Sequence, residues 1–401
     1  MSSADALAAA VTDPRLLPWR RLRILLVPSA YYPHVGGIEE LTRKLALALS
    51  ARGHNVAVLT NQWPPGVRRS EVLGGIEVTR LAFPLPAMQP FAVARFLATS
   101  PTAALALLRH IRRWRPEVVH VIGAGPPSVY LATLHSLLEP RLVFTAQGEQ
   151  TFDAHGIFER SATLRLGLRR VLGRADAVTA CSAFVMRHLI QTKKIRAPTY
   201  VIPNGVEPDE FADASPEKDF GDYVLAVGRL VPQKGFDVLL DAFASEQLAG
   251  LNLILVGEGF ERARLEARAV ELGLDSRVQF LGSVDRPRLA QLLRGASVFA
   301  FPSRGEAFGI ALLEAMAAGV PAVAAAAGGV PEFARDDENA LLVQPENASA
   351  LAEAIARLVS DTGLRDRLIV GGRATATDSA WSRIADRYED VYLRALARGD
   401  V

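Results

Sequence analysis

Two carboxylates, Glu306 and Glu314, stand in the segment Pro302-Ser303-Arg304-Gly305-Glu306-Ala307-Phe308-Gly309-Ile310-Ala311-Leu312-Leu313-Glu314, which runs on through Ala315-Met316-Ala317-Ala318 to Gly319. Residues 296–301 before it read as a buried strand. The glycine-bearing stretch reads as a turn, and the Ala/Leu/Met-rich sequence as a helix that Gly319 stops. At such a junction the backbone N–H groups of Phe308, Gly309 and Ile310 lack intrahelical partners. They can hold an anion, with the helix dipole adding to the attraction. Glu306 and Glu314 are then placed for the uncharged parts of the same ligand.

A second loop offers the complementary charge. Val227-Gly228-Arg229-Leu230-Val231-Pro232-Gln233-Lys234-Gly235 ends a strand and leads into a helix near Phe236, the position where ligands of doubly wound sheets bind. Arg229 supplies a guanidinium fork and Lys234 a point charge, a pair suited to a diphosphate that must be held and then stabilised as it leaves. Taken alone, both could be solvated loop cations. Gly36-Gly37 is a loop-to-helix junction of the same kind, or a simple tight turn. Gly257-Glu258-Gly259 also follows a strand, but Arg262 stands where a dinucleotide fingerprint needs its third glycine, which argues against an NAD site. The seven histidines show no metal-ligand spacing and the chain has no Asp-x-Asp, so no metal or other cofactor is expected and protein cations must meet the diphosphate.

The elements that must position these residues alternate as strand and helix, the pattern of parallel βαβ units. Strands are expected at 22–27, 55–60, 118–122, 142–146, 177–180 and 199–202, with a helix over 38–52 after Gly36-Gly37. A second set falls at 223–227, 251–256, 277–281, 298–301 and 320–324. Residues 62–90 and 148–161 carry no telling pattern. The acidic, Pro-containing stretch 207–222 reads as a linker or exposed segment. The organisation is therefore an arm over 1–21, a Rossmann-like domain over 22–206, a second over 207–380, and a C-terminal helix over 381–401 that returns toward the first. Half of the 401 residues are apolar, enough core for two domains. With 45 Lys and Arg against 43 Asp and Glu, the net charge of +2 gives no reason to expect a nucleic-acid partner. The single cysteine, Cys181, fits a reducing compartment. Asp5, Asp13, Pro14 and Pro18 argue against a signal peptide.

Together these motifs resemble a family 4 retaining glycosyltransferase of the GT-B fold. The resemblance rests on Glu306 and Glu314 as Glu-x7-Glu, Gly228-Arg229 with Lys234-Gly235, Gly36-Gly37, Val201-Ile202-Pro203-Asn204-Gly205-Val206-Glu207, and Ala325-Ala326-Ala327-Gly328-Gly329-Val330-Pro331-Glu332. It covers roughly residues 22–398. It implies an α/β fold of two Rossmann-like domains facing a central cleft, and a nucleotide diphosphate sugar, UDP- or GDP-linked, as co-substrate. By the same resemblance Glu306 lies near the transferred sugar, with Ala307, Phe308, Gly309 and Ile310 along sugar and phosphate. Glu314 meets the ribose, Arg229 and Lys234 the diphosphate, Gly36 and Gly37 the leaving group, and Phe280 and Leu281 the base. The anomeric configuration is kept, the departing diphosphate helping to deprotonate the acceptor on the same face.

Two positions depart from the family pattern. Ile122 stands where the second histidine of a His-x-His is expected, leaving His120 as the catalytic candidate, although His120 also suits a core position beside a buried strand. Gln147 replaces a family histidine; it can hydrogen-bond a sugar or acceptor but cannot act as a base near neutral pH. A nucleotide-sugar-binding homologue without turnover, or an epimerase of the same architecture, are the alternative readings. A glycoside hydrolase is disfavoured because eight residues of helix separate two backbones by roughly 12 Å, beyond the usual carboxylate spacing. Residues 107–115 and 164–174 mix arginine with aliphatics, as helices lying on anionic lipid do; the same arginines also suit solvated helix faces. The expected location is cytoplasmic, with peripheral contact at the inner face of a membrane.

Overall fold

The alternation of apolar runs and helices becomes two parallel sheets in the computed structural model of the protein, which describes residues 20–34, 36–86, 90–148 and 156–398. The chain divides into two units, Met1–Pro203 with Trp381–Val401, and Asn204–Ala380. Most of the expected arm lies outside the described residues.

Unit 1 holds β1 (Arg23–Pro28), β2 (Asn55–Asn61), β3 (Ser70–Leu73), β4 (Ile76–Leu81), β5 (Val118–Ile122), β6 (Arg141–Ala146), β7 (Ala177–Ala180) and β8 (Thr199–Val201). Their order is β3-β4-β2-β1-β5-β6-β7-β8, and every pairing is parallel except β3 with β4. Helices cover the central strands, so β5 is buried along its whole length and its sequence is almost continuously apolar. The stretch 62–90, which carried no pattern, holds the β3–β4 hairpin. A helix, Pro90–Trp114, follows it. The tail helix Trp381–Ala397 packs into this unit's core, where Trp381, Ile384, Tyr388 and Tyr392 join Leu41, Leu45 and Leu49 of the helix Gly37–Ala51. Each fully buried Leu or Ile there contributes about 1.5–3 kcal/mol.

Unit 2 is built from β9 (Tyr223–Val227), β10 (Asn252–Val256), β11 (Val278–Gly282), β12 (Val298–Phe301), β13 (Ala322–Ala325) and β14 (Leu341–Val343). The order is β11-β10-β9-β12-β13-β14, parallel throughout. The chain runs from β9 outward through β10 to β11 on one side and then crosses back to β12 on the other, so the switch point, where doubly wound sheets open a crevice at their carboxyl ends, lies between β9 and β12.

The stretch 207–222, expected as a linker or exposed segment, is exposed at many positions but is not a linker between the units. It is part of unit 2, with a helical turn at Asp209–Ala212 that buries Phe211 completely beneath the Arg286 guanidinium, 5.3 Å from its ring. Further on, Glu217 accepts from the amides of Lys218 and Asp219 at 2.7 and 2.8 Å, and these bonds, with help from Arg288, hold its carboxyl below the usual range. Glu210 and Glu217 are thus specifically paired, while Asp209, Asp213, Asp219 and Asp222 are exposed. Among the described residues no helix is long and apolar enough to cross a membrane.

Candidate functional site

Three loops meet at the carboxyl ends of β9, β12 and β13, and close backbone approaches fix them. A Cβ at position 235 would lie 2.2 Å from the carbonyl oxygen of Pro302, so glycine alone lets the β9 loop abut the β12 loop. Gly328, with φ +61°, does the same for the β13 loop: a Cβ there would lie 2.0 Å from the Glu306 carbonyl oxygen, which accepts from the Gly329 amide at 2.9 Å. Arg304 ties the first two loops more firmly. Its amide donates to Gln233, and its guanidinium donates to the Pro232 carbonyl at 2.6 Å and to both Asp237 oxygens at 2.8 and 3.1 Å. Burial pushes the Asp237 carboxyl up, but this fork outweighs it and holds the group below its ordinary value.

On this scaffold Lys234 forms an ion pair with Glu306, and the Ser303 hydroxyl donates to the same carboxylate oxygen at 3.0 Å. The Lys234 ammonium also sits 5.4 Å from the Phe301 ring centre. Arg229 is exposed and pairs with no carboxylate among the described residues. The helix Ile310–Ala318 begins directly behind Glu306, with Gly309 at its N-cap and Ala307 and Phe308 in the turn. Among the described residues, the amides of Phe308, Gly309 and Ile310 donate to no backbone carbonyl. Glu314, one turn into the helix, is buried and accepts from Arg286 Nη1 at 2.5 Å, while Arg286 Nε donates to Glu210 at 2.9 Å. Burial opposes the Arg286 charge, yet its bonds to Glu210 and Glu314 dominate and hold its pKa well above the ordinary value. Phe280 and Leu281 are half-buried on edge strand β11, two strands from β9.

The remaining expected site residues belong to unit 1. Gly37 opens the helix that ends at Ala51, preceded by Gly36 in extended backbone. That first turn carries Glu39 and Glu40, matched by His34 and Arg43, each at 2.7 Å. Gln147 is half-buried just past the end of β6. His120 corrects the expectation of a catalytic residue. It is fully buried in β5, with Nδ1 2.8 Å from the Tyr392 hydroxyl and Nε2 2.6 Å from Thr145 Oγ1, which in turn meets Thr179 Oγ1 at 2.5 Å. Burial pulls its pKa down to about 3, so the imidazole is neutral and both nitrogens are committed to the core. Its partner Tyr392 comes from the tail helix. The polar network therefore fastens that helix to the sheet.

Residues 208–375 match the family described as Glycosyl transferases group 1, and residues 35–210 match Glycosyltransferase Family 4. The phosphatidyl-myo-inositol mannosyltransferase of Mycobacterium leprae is 31% identical over 94% of this chain and 98% of its own. The chain belongs to glycosyltransferase family 4. Within this family, the D-inositol 3-phosphate glycosyltransferase of Acidothermus cellulolyticus is 30% identical over 95% of this chain and 92% of its own. A solved sucrose-phosphate synthase from Thermosynechococcus elongatus superposes with a TM-score of 0.77 at 26% identity, covering 92% of this chain and 98% of the other. The transferase thus has the GT-B type of architecture, with two parallel-sheet domains.

In unit 2 of this family 4 transferase, the Glu306 and Lys234 singled out by sequence are brought into contact, and Arg229 stands at the same sheet end. Sequence reasoning missed Ser303, Arg304, Asp237, Glu210 and Arg286, the side chains that hold those groups in place. Their partners lie 28 to 76 residues away, except for Ser303. Among the described residues no group of three or more His, Cys, Asp or Glu side chains could hold a metal ion. Cations and amides beside paired carboxylates can bind a polyhydroxyl ligand that carries phosphate.

Proposed function

We propose that this glycosyltransferase moves a hexose-type sugar from a UDP- or GDP-linked donor to a hydroxyl of a glycan, lipid or small-molecule acceptor, with retention and without a metal ion. The reading rests on one observation above all: Arg229, Lys234, Glu306 and the amides of Phe308, Gly309 and Ile310 gather at the carboxyl ends of β9 and β12. A diphosphate laid there meets two cations and a helix start, and these take the charge that develops on the leaving group. Lys234 then exchanges part of its bond to Glu306 for one to phosphate, which turns the carboxylate toward sugar hydroxyls. Glu314, steadied by Arg286, takes the ribose; Phe280 and Leu281 flank the base. For Gly36, Gly37 and Gln147 the roles of donor and acceptor contacts rest on the family resemblance alone. In the chemical step the acceptor oxygen bonds to the anomeric carbon as the bond to phosphate breaks, and the acceptor proton passes to the departing phosphate oxygen.

Calorimetric titration with UDP, GDP, ADP and their sugar conjugates, in the presence of EDTA, tests this. Saturable binding of one nucleotide diphosphate is expected, and binding of none would overturn it. A second reading, donor binding without turnover, is favoured by Ile122 and Gln147 standing where the family carries histidines; it predicts binding with no release of nucleotide from the sugar conjugate under any acceptor. The enzyme is read as cytoplasmic and peripheral to an anionic membrane. Supporting this, Arg112, Arg113 and Arg115 are exposed at the end of the helix Pro90–Trp114, whose Leu107 and Ile111 are buried. Cosedimentation with vesicles rich in phosphatidylglycerol should fall when the three arginines are neutralised, and no binding by the parent protein would sink the idea.

A further inference from the structure

Unit 1 contains a cavity of about 600 Å³ at the ends of β2 and β4 and beside the helix Pro90–Trp114, lined by Asn61, Arg69, Arg80 and Arg95 among others, with no carboxylate in its lining. Its chemistry is one-sided. Arg69 and Arg95 are exposed, and neither pairs with a carboxylate among the described residues. Arg80 is different, only 1% exposed and fixed from behind. Its Nη1 donates to the Arg68 carbonyl at 2.9 Å, Nη2 donates to the Tyr32 carbonyl at 2.5 Å, and Glu71, which is not part of the lining, pairs with it. Its Nε is buried and has no hydrogen-bond acceptor among the described residues. A buried charged N–H without an acceptor is costly, and structures seldom keep one that no ligand uses. Asn61 points the same way: its Oδ1 accepts from the Phe83 amide at 3.2 Å, which leaves its amide N–H groups for another partner.

We propose that this cavity binds a phosphate-type oxyanion, free or carried on a polyol. Two guanidinium forks at the mouth and a rigidly held guanidinium within suit the several acceptor oxygens of a phosphate, and no carboxylate in the lining repels it. The volume exceeds what inorganic phosphate fills and leaves room for an attached polyol. Its lining comes from unit 1 alone and shares no residue with the β9 and β12 loops of unit 2, so it stands or falls independently of the donor reading.

Calorimetry at constant ionic strength, with inorganic phosphate, glucose 6-phosphate and glucose as probes, decides the matter. Parallel titrations with UDP and GDP report the unit 2 site on the same samples. Saturable binding of phosphate is expected, with no response to glucose. The double variant Arg69→Ala/Arg95→Ala should weaken it about tenfold or more, leaving UDP or GDP affinity unchanged. Asn61→Asp guards against misfolding as an explanation, since it keeps the acceptor for the Phe83 amide and adds one negative charge to the cavity; it should weaken phosphate similarly. Tighter binding of glucose 6-phosphate than of phosphate assigns the oxyanion to a phosphorylated polyol, and equal binding assigns it to the free ion. Equal phosphate affinity in all three proteins, or no saturable binding of either anion, overturns the proposal. Phosphate binding that persists while UDP and GDP fail would instead sink the donor reading.

Discussion

Replacing His120 by Gln separates a core histidine from a catalytic one through pH. In the native chain burial holds His120 at a pKa of about 3, against an ordinary value of 6.5. Below pH 6.5 the unfolded chain binds a proton there that the native state refuses, so the contribution to stability is fully present above 6.5 and is lost as pH falls toward 3. The loss accumulates at about 1.4 kcal/mol per pH unit and reaches about 2 kcal/mol at pH 5. For a unit of this size that corresponds to a melting point lower by roughly 4–8 °C. The readout is selective because all four tryptophans, at 19, 63, 114 and 381, fall in unit 1, so tryptophan fluorescence in urea follows that unit alone. Burial also lowers the pKa values of His54, His110 and His135, but they are common to both proteins and cancel in the comparison. His120→Gln should be less stable at pH 7.5, yet lose about 2 kcal/mol less than the parent between pH 7.5 and 5. Identical acid sensitivity of the two proteins would refute the buried, neutral assignment. Loss of turnover at pH 7.5 with unaltered unfolding would return His120 to the chemistry.

Glu306→Gln should abolish sugar transfer while shifting the melting point by no more than a few degrees; near-normal turnover would count against the role given to that carboxylate. Arg229→Ala or Lys234→Ala should weaken binding of the nucleotide diphosphate by about tenfold or more and that of the free nucleoside hardly at all, and equal weakening of both would place these cations elsewhere. Gly328→Ala, which forces a methyl group against the Glu306 carbonyl at φ +61°, should destabilise unit 2 by about 2 kcal/mol or more, read by urea unfolding in far-ultraviolet circular dichroism, and a neutral effect would show that the β13 loop can move aside.

Most central strands were legible because a parallel strand covered on both faces must be largely apolar, as β1 after Arg23, β5 apart from His120, β9 and β12 are. The hairpin β3–β4 escaped because edge strands need no such run: β3 has four residues, and none of them is fully buried. Its one local signal was the pair Gly74-Gly75 between the strands. β14, three residues long, offered no period at all. Within the site, Glu306, Glu314, Arg229 and Lys234 could be found because loop chemistry at a strand end restricts residue types locally. What those side chains touch could not. Lys234 and Glu306 lie 72 residues apart, and His120 and Tyr392 lie 272 apart, so no local rule couples them. The same gap explains why the sequence left His120 open between a catalytic and a core position. A histidine within an apolar strand carries one sequence signal whether it faces a ligand or the core, and what decides is the tail helix, which delivers Tyr392 to Nδ1.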